Sequence, residues 1–365
     1  MLRAAASVDF YSAQYGVARQ RFRAAAAQRG WWQADYPIGA RGPGGEQLSI
    51  DVAMSSREPC ERALVVSSGL HGVEGFLGSA VQLAALTTAV DQLATDGIRL
   101  IFIHALNPYG FAWSRRVDAK NIDLNRNFPS GDERYAGSPD GYASLDAVLN
   151  PRCAPRWWNH VPLEALTIIL RHGLPALKQV VAGGQFDFPK GLFFGGHDRA
   201  DTVRVLETHL PEWIGDCQRV LHLDLHTGLG RWATYQLLAD DRLSPAWSAR
   251  LDAIIDRQRI VPPASGNGEY QIRGGFGRWA GRLFADRDYL LLYAEFGTYG
   301  PLRVVLGLRA ENQAHHWGGQ DAHSTEHAKR RLRRLFCPTS IDWRVRSLSL
   351  GLDLIKSSMR ALSAR

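Results

Sequence analysis

The segment VVSSGLHGVEGF, residues 65–76, runs from an apolar strand pattern into glycines that carry His71 and Glu74 three residues apart. A catalytic zinc commonly takes two histidines and one carboxylate, leaving its fourth position for water. Taken alone, H-x-x-E is a weak signal, and a polar turn is the plain alternative. A third ligand must come from another strand end, and RVLHLDLHTG, residues 219–228, offers His226. There Leu221, Leu223 and Leu225 alternate with His222, Asp224 and His226, so one face of the strand is apolar and the other polar. His226 is the last polar residue before the glycine break. Asp224 and His222 share its face as partners that could orient it, although His222 reads equally as a satisfied core histidine.

A third strand end adds a carboxylate. In DYLLLYAEFGTYG, Glu295 follows a strongly apolar run and precedes Phe-Gly. A glutamate there is costly unless paired or functional. It is either a salt-bridged structural residue or a general base that takes a proton from zinc-activated water. The stretch NPYGFAWSRRVDAKNIDLNRNFP, 107–129, sets Arg115, Arg116 and Arg126 among amides and short turns. Arginine suits sites where a planar carboxylate is gripped at two points.

These residues need strands and helices to position them. The sequence predicts an amphipathic helix over 8–29, a strand of an early hairpin at EQLSIDVAMSS, and then alternation. RALVVSSGL is a strand, 77–90 a helix, IRLIFIHAL a strand, 163–182 a helix, RVLHLDLHTG a strand, 244–259 a helix and DYLLLYAEFG a final strand. The tail from 301 onward is helical. Apolar runs of this kind between helices imply an α/β fold with a largely parallel sheet covered on both faces. In such sheets sites form beyond the carboxyl ends of the strands, where His71, Glu74, His226 and Glu295 all fall. With no repeat or linker, residues 1–365 read as a single catalytic domain, with a core over 50–320 and a C-terminal helical segment over 321–365.

Composition narrows the function classes. The chain is 45% hydrophobic and 22% charged, which is the balance of a globular protein without a membrane span. The net charge of +7 comes from 43 basic residues of which only five are lysine. The arginines are scattered, so no nucleic-acid partner is expected. The one dense run, KRRLRR at 329–334, reads as a solvated helix face. The N-terminus lacks the apolar stretch of a secretory signal, and Cys60, Cys153, Cys217 and Cys337 are widely spaced without C-x-x-C. Reduced thiols and a cytoplasmic location are the corresponding expectations. Glu311 and His315 form a second i, i+4 pair on a helix, read as structural. GGQFDFPKGLFFGG, 183–196, is either a pocket wall or a plain loop.

HGVE, NPYG, Arg116 spaced before NRNF, LHTG and AEFG occur in one order over residues 63–300, and with them the chain resembles the zinc carboxypeptidase family. Carboxypeptidase A exemplifies the His₂Glu zinc site. Within that family it is similar to a bacterial subgroup of uncharacterised function with GLHGVEG and DLNRNF. The resemblance implies one Zn²⁺ per chain on His71, Glu74 and His226, with Glu295 as general base and Arg116 stabilising the oxyanion. It implies Asn125 and Arg126 as the grip on a substrate's terminal carboxylate. Arg115 is the rival of Arg116, Tyr270 the nearest match for a substrate-capping tyrosine, and Asp224 the residue behind the metal ligands. DLHTG is closer to the aspartoacylase and succinylglutamate desuccinylase group. The expected activity is therefore hydrolysis of an amide beside a free carboxylate, with a peptide or acyl-amino acid as substrate. A deacylase and a non-catalytic binding module are the alternatives. Arg273, Arg278 or Arg282 would bias the pocket toward acidic side chains.

Overall fold

A computed structural model describes residues 7–89, 97–155, 183–261, 273–319 and 322–363. Its centre is an eight-stranded mixed sheet in the order β1-β2-β4-β3-β5-β8-β6-β7. The strands are β1 (Trp32–Arg41), β2 (Gln47–Met54), β3 (Arg62–Ser68), β4 (Ile98–His104), β5 (Arg219–Thr227), β6 (Tyr235–Leu238), β7 (Ile260–Val261) and β8 (Asp288–Phe296). The four central strands β4, β3, β5 and β8 run parallel, as expected of near-continuous apolar runs covered on both faces. The β1–β2 hairpin and β6 pair antiparallel at the flanks.

The helices are α1 (Tyr15–Gln28), α2 (Gly75–Ala84), α3 (Pro108–Ala112), α4 (Tyr142–Leu149), α5 (Asp201–Ile214), α6 (Pro245–Asp252), α7 (Phe276–Leu283), α8 (Pro301–Trp317), α9 (Ala322–Phe336) and α10 (Ile341–Ser363). Alternation along the strands divides two cores. Leu64, Val66, Leu221, Leu223, Leu225 and Leu292 face α1, α2, α6 and α10. Ala63, Val65, Ile101, Ile103, Leu291 and Tyr293 face α5 and α7. The polar side of β5 lies on this second face. That is how one strand is both a core element and a carrier of His222, Asp224 and His226.

Several expectations need adjustment. The first helix begins at Tyr15, and the helix expected over 77–90 is α2 followed by a single π turn over Ala85–Ala89. The helix expected over 244–259 stops at Asp252. Ser244 caps its start by accepting from the Trp247 amide, while Asp256 caps a separate turn leading into β7. Strands β6 and β7 are too short to carry a legible pattern. The helix expected over 163–182 and Tyr270 lie outside the described residues. The core exceeds the 50–320 bounds: Tyr15, Phe22, Trp343, Leu348, Leu354 and Ile355 are all buried in it. Among the described residues no helix is long and apolar enough to cross a membrane.

The thiol expectation is overturned for one pair, since Cys60 and Cys217 form a disulfide, with Cα atoms 5.4 Å apart. Their separation of 157 residues hid the pairing from the sequence. Arg62 and Arg219 are register partners at the starts of β3 and β5, and each cysteine sits two residues upstream of one of them. The KRRLRR run is not simply a solvated face either. Lys329 is buried and donates to the Trp113 carbonyl, and the Arg333 guanidinium lies 3.8 Å over the Phe76 ring.

Candidate metal centre

β3 ends at Ser68 and the chain turns through Gly69 into His71 and a single 3₁₀ turn, Gly72–Glu74. Gly72 is required here: a Cβ on it would meet the Gly110 backbone at 2.1 Å. That close approach lets the Gly72 amide donate to the Arg116 carbonyl (3.1 Å) and the Val73 amide to the Arg115 carbonyl (2.8 Å). The histidine–glutamate turn and the arginine loop are thus joined through their backbones.

His71, Glu74 and His226 converge, with one donor atom from each within 4.8 Å of the others, and all three are buried. Glu74 lies between the rings, its Oε1 3.0 Å from His71 Nδ1 and its Oε2 3.1 Å from His226 Nδ1. The two rings meet edge-on, with centroids 4.9 Å apart. Behind them, His71 Nε2 is 3.2 Å from Asp123 Oδ1, and His226 Nε2 is 2.6 Å from Asp224 Oδ2. His226 is therefore held by a carboxylate on Nε2 and aims Nδ1 inward, an arrangement characteristic of metal-ligating histidines, while His71 Nε2 lies between Asp123 and the Arg116 guanidinium with Nδ1 toward Glu74. His226 Nδ1 is buried, and its contact with Glu74 Oε2 is not a well-directed hydrogen bond. Two neutral nitrogens and a carboxylate fit zinc better than the oxygen-seeking magnesium or calcium. Although burial works against its charge, His71 and His226 hold the Glu74 carboxyl below the usual carboxylate range. Burial likewise opposes protonation of His226, yet Asp224 and Glu74 raise its pKa well above that of a free histidine.

Asp224 belongs to a longer chain of buried hydrogen bonds. Ser67 Oγ donates to Asp224 Oδ1 (2.7 Å) and lies 2.8 Å from His222 Nε2, while His222 Nδ1 is 2.7 Å from the Tyr289 hydroxyl. With Tyr289 donating to His222, His222 to Ser67 and Ser67 to Asp224, every donor and acceptor is satisfied in one direction. This places His222 as a fixed, uncharged link, and burial depresses its pKa to about 4.

Glu295 is the direct register partner of His226 on the neighbouring parallel strand. Its Oε2 is enclosed and has no hydrogen-bond partner. Burial pushes its pKa up to about 8, an effect that nearby His226 offsets and Glu74 reinforces. Arg116 completes this wall. Its Nε donates to Asp123 Oδ2 (3.0 Å), Nη1 lies 3.5 Å from Glu74 Oε1, and Nη2 is 2.7 Å from His71 Nε2. Burial opposes ionisation of Asp123, but Arg116 and His71 hold its carboxyl well below the usual range. Asp123 was missed by the sequence reading. Its signal is the acid that opens DLNRNF, three residues before Arg126.

Asn125 and Arg126 sit in the 3₁₀ turn Leu124–Arg126. The Asn125 side-chain oxygen accepts from the Phe276 amide (3.1 Å), and the Tyr293 hydroxyl, which donates to Asp240 Oδ2 (2.9 Å), lies 3.3 Å from it. Arg126 donates to the Asn125 carbonyl (2.8 Å). Among the described residues no carboxylate lies within 4.0 Å of the Arg126 guanidinium, and its buried Nε is unpartnered. Arg115, by contrast, does not reach this space. It is fully buried against α8, bonding Glu311 (2.8 Å) and Asn121 (3.1 Å), which corrects its reading as a substrate ligand. The same pair accounts for Glu311, which bonds Arg115 and lies 3.6 Å from Lys329. Among the described residues no second metal cluster forms around Glu311 and His315. Residues 183–196 place Phe193 under Arg116, 5.8 Å from its guanidinium, so that part of the glycine-rich stretch is wall.

Comparison with solved structures places this fold. It superposes on bovine thrombin-activatable fibrinolysis inhibitor in complex with tick carboxypeptidase inhibitor with a TM-score of 0.51 at 11% identity, covering 97% of this chain and 96% of the other. Carboxypeptidase A from Helicoverpa armigera gives a TM-score of 0.44 at 14% identity over 88% and 73% of the two chains. The succinylglutamate desuccinylase from Chromobacterium violaceum gives 0.37 at 17% identity over 88% and 74%. The eight-stranded mixed sheet flanked by helices matches carboxypeptidase-like folds. A search of curated proteins finds no match. The family model described as "Protein of unknown function (DUF2817)" matches residues 11–349, nearly the whole length, and the chain belongs to that family.

Proposed function

We propose that the protein is a zinc-dependent hydrolase that cleaves an amide bond next to a free carboxylate, the whole chain serving as one catalytic domain. The observation that carries this reading is the convergence of His71, Glu74 and His226 with Glu295 in direct register beside His226. When bound, zinc supplies a Lewis acid and lowers the pKa of water at its open position. The other roles fall to the chain itself. Glu295 accepts a proton at its unpartnered Oε2 and returns it to the leaving nitrogen. Arg116, anchored by Asp123, presents positive charge where the carbonyl oxygen becomes an oxyanion. Asn125 and the guanidinium of Arg126, which has no carboxylate within 4.0 Å among the described residues, orient the substrate through its carboxylate. Asp224 and Asp123 fix the imidazoles so that little reorganisation accompanies reaction.

The DLHTG sequence at the end of β5 favours a second reading, in which the scissile acyl group is a small acid on an amino acid rather than a peptide. Turnover of blocked dipeptides compared with N-acyl amino acids separates the two. Metal analysis of the purified protein tests the centre itself. About one zinc per chain is expected in the wild type and far less in His226→Ala. Full zinc retention in that variant would sink the assignment.

A further inference from the structure

Among the described residues four non-glycine positions have left-handed backbone, and three of them lie along the arginine loop or face it: Ser114 (φ 52°), Asn121 (φ 64°) and Phe193 (φ 60°). Asparagine tolerates this region, whereas for a bulky aromatic residue it is an outlier. Backbone of this kind persists only where the surrounding structure over-determines it. That over-determination is visible around Phe193. The Gln185 amide donates to the Phe193 carbonyl (3.0 Å), the Tyr142 hydroxyl to the Leu192 carbonyl (2.7 Å) and the Asp123 amide to the Phe194 carbonyl (2.7 Å). The Asn121 side-chain amide donates to the carbonyls of Pro189 and Gly191 (both 3.0 Å), and that of Asn127 to the Gly195 carbonyl (2.7 Å). Residues 189–195 are thereby fastened to the loop that carries Arg116 and Asp123.

The Phe193 ring is buried in a cluster with Val73, Leu192, Val304 and Phe336. Filling that cluster asks only for an apolar side chain and gives no reason for a strained aromatic one. The neighbour that does is Arg116, whose guanidinium lies over the ring, 5.8 Å from its centroid. The edge of that guanidinium is already committed. Its Nε donates to Asp123 Oδ2 (3.0 Å), and Nη2 lies 2.7 Å from His71 Nε2.

We propose that Phe193 is a positioning residue for Arg116, its strained backbone holding the ring where it sets the tilt of the guanidinium plane. Guanidinium groups stack on aromatic faces, an attraction that an aliphatic side chain of similar volume does not supply. The role rests on the proposed function, in which Arg116 stabilises the oxyanion. A donor aimed at an oxyanion acts through its geometry, so a change of tilt lowers the rate without weakening substrate binding.

The test compares Phe193→Leu, which keeps the cluster filled, with Phe193→Tyr, which keeps the ring. If Phe193→Leu melts early, Phe193→Met fills the same space with a more adaptable chain and takes its place. Phenylglyoxal labelling of the zinc-loaded protein, read by peptide mass spectrometry, reports how tightly Arg116 is held. Labelling of Arg116 is expected to be several-fold faster in Phe193→Leu and near the wild-type rate in Phe193→Tyr, with Arg115 and Arg126 unchanged in both. A double-mutant cycle with Arg116→Ala then follows turnover, on whichever of a blocked dipeptide or an N-acyl amino acid the wild type cleaves. Phe193→Leu should lower kcat about tenfold with KM held within about twofold, and should lower kcat by less than about twofold once Arg116 is alanine. Equal losses in the two backgrounds, or unchanged labelling of Arg116, overturn the positioning role of Phe193 alone. Unchanged turnover in Arg116→Ala, or no turnover of either substrate class, overturns the oxyanion role of Arg116 itself, and the role of Phe193 falls with it.

Discussion

His226 and Glu295 stand side by side at the carboxyl ends of adjacent parallel strands, one aiming Nδ1 toward Glu74 and the other leaving Oε2 unpartnered. Their spacing is set by the β5–β8 ladder rather than by flexible loops, so the proposed metal ligand and the proposed proton acceptor are placed by the same backbone hydrogen bonds.

If Glu295 moves the proton, Glu295→Gln removes activity while leaving the ligands intact. A fall in kcat/KM of about 10²- to 10⁴-fold is expected, with zinc content unchanged. The carboxyl must be ionised to act as base, and burial raises its pKa to about 8 in the metal-free protein. Activity therefore rises with pH along the acidic limb, and a bound cation moves that limb lower. Zinc-replete Glu295→Gln turning over substrate at the wild-type rate would exclude the role.

The chain Tyr289–His222–Ser67–Asp224 predicts an effect on metal affinity from residues that never touch the metal. Ser67→Ala removes the donor to Asp224 and leaves His222 without its acceptor. Zinc affinity, measured by competition with a chelator, is expected to fall about 10- to 100-fold. Ser67→Thr, which keeps the hydroxyl, should recover most of it. An unchanged affinity in Ser67→Ala would mean that Asp224 needs no support.

Acid stability follows from buried neutral histidines. His104 is enclosed by Phe22, Tyr15 and Phe111, and burial lowers its pKa to about 3. The unfolded chain takes up a proton near pH 6.5, whereas the folded one does not until about pH 3. Below pH 6.5 the unfolded state binds more protons, so stability is intact above that value and is lost progressively as pH falls from there toward 3. The loss is about 1.4 kcal/mol per pH unit for such a group. His104→Gln should flatten this dependence in denaturant titrations at pH 7 and pH 5. An identical slope in variant and wild type would assign the acid sensitivity elsewhere.

The Arg115–Glu311 pair is buried on both sides. Removing one partner strands the other, so Arg115→Ala should cost about 3–5 kcal/mol, read from urea unfolding. A loss below about 1 kcal/mol would show that water or Lys329 compensates.

The sequence was most legible where a side chain repeats with its element. Alternation of leucine with His222, Asp224 and His226 reveals the strand, its apolar face and the candidate ligand at its tip without any knowledge of the neighbours. The parallel strands were readable for the same reason, as apolar runs between helices. Arg115 and Arg116 were not separable in that way. They are adjacent and chemically identical, and only the packing of α8 sends one into the protein and the other to the metal wall. Asp123 needed a partner 52 residues away in sequence, His71, before its role could be seen. The Cys60–Cys217 bridge required the β3–β5 register. Long-range pairings of this kind are set by tertiary structure and leave no local pattern.

The C-terminal helix α10 packs against both β3 and β5, and Trp343 Nε1 donates to the carbonyl of Gly297 (2.8 Å), two residues past Glu295. Synthesis runs from the N-terminus, so this brace arrives after every proposed ligand and the proposed base have already been made. A growing chain therefore carries His71, Glu74, His226 and Glu295 before it carries the helix that braces the end of β8.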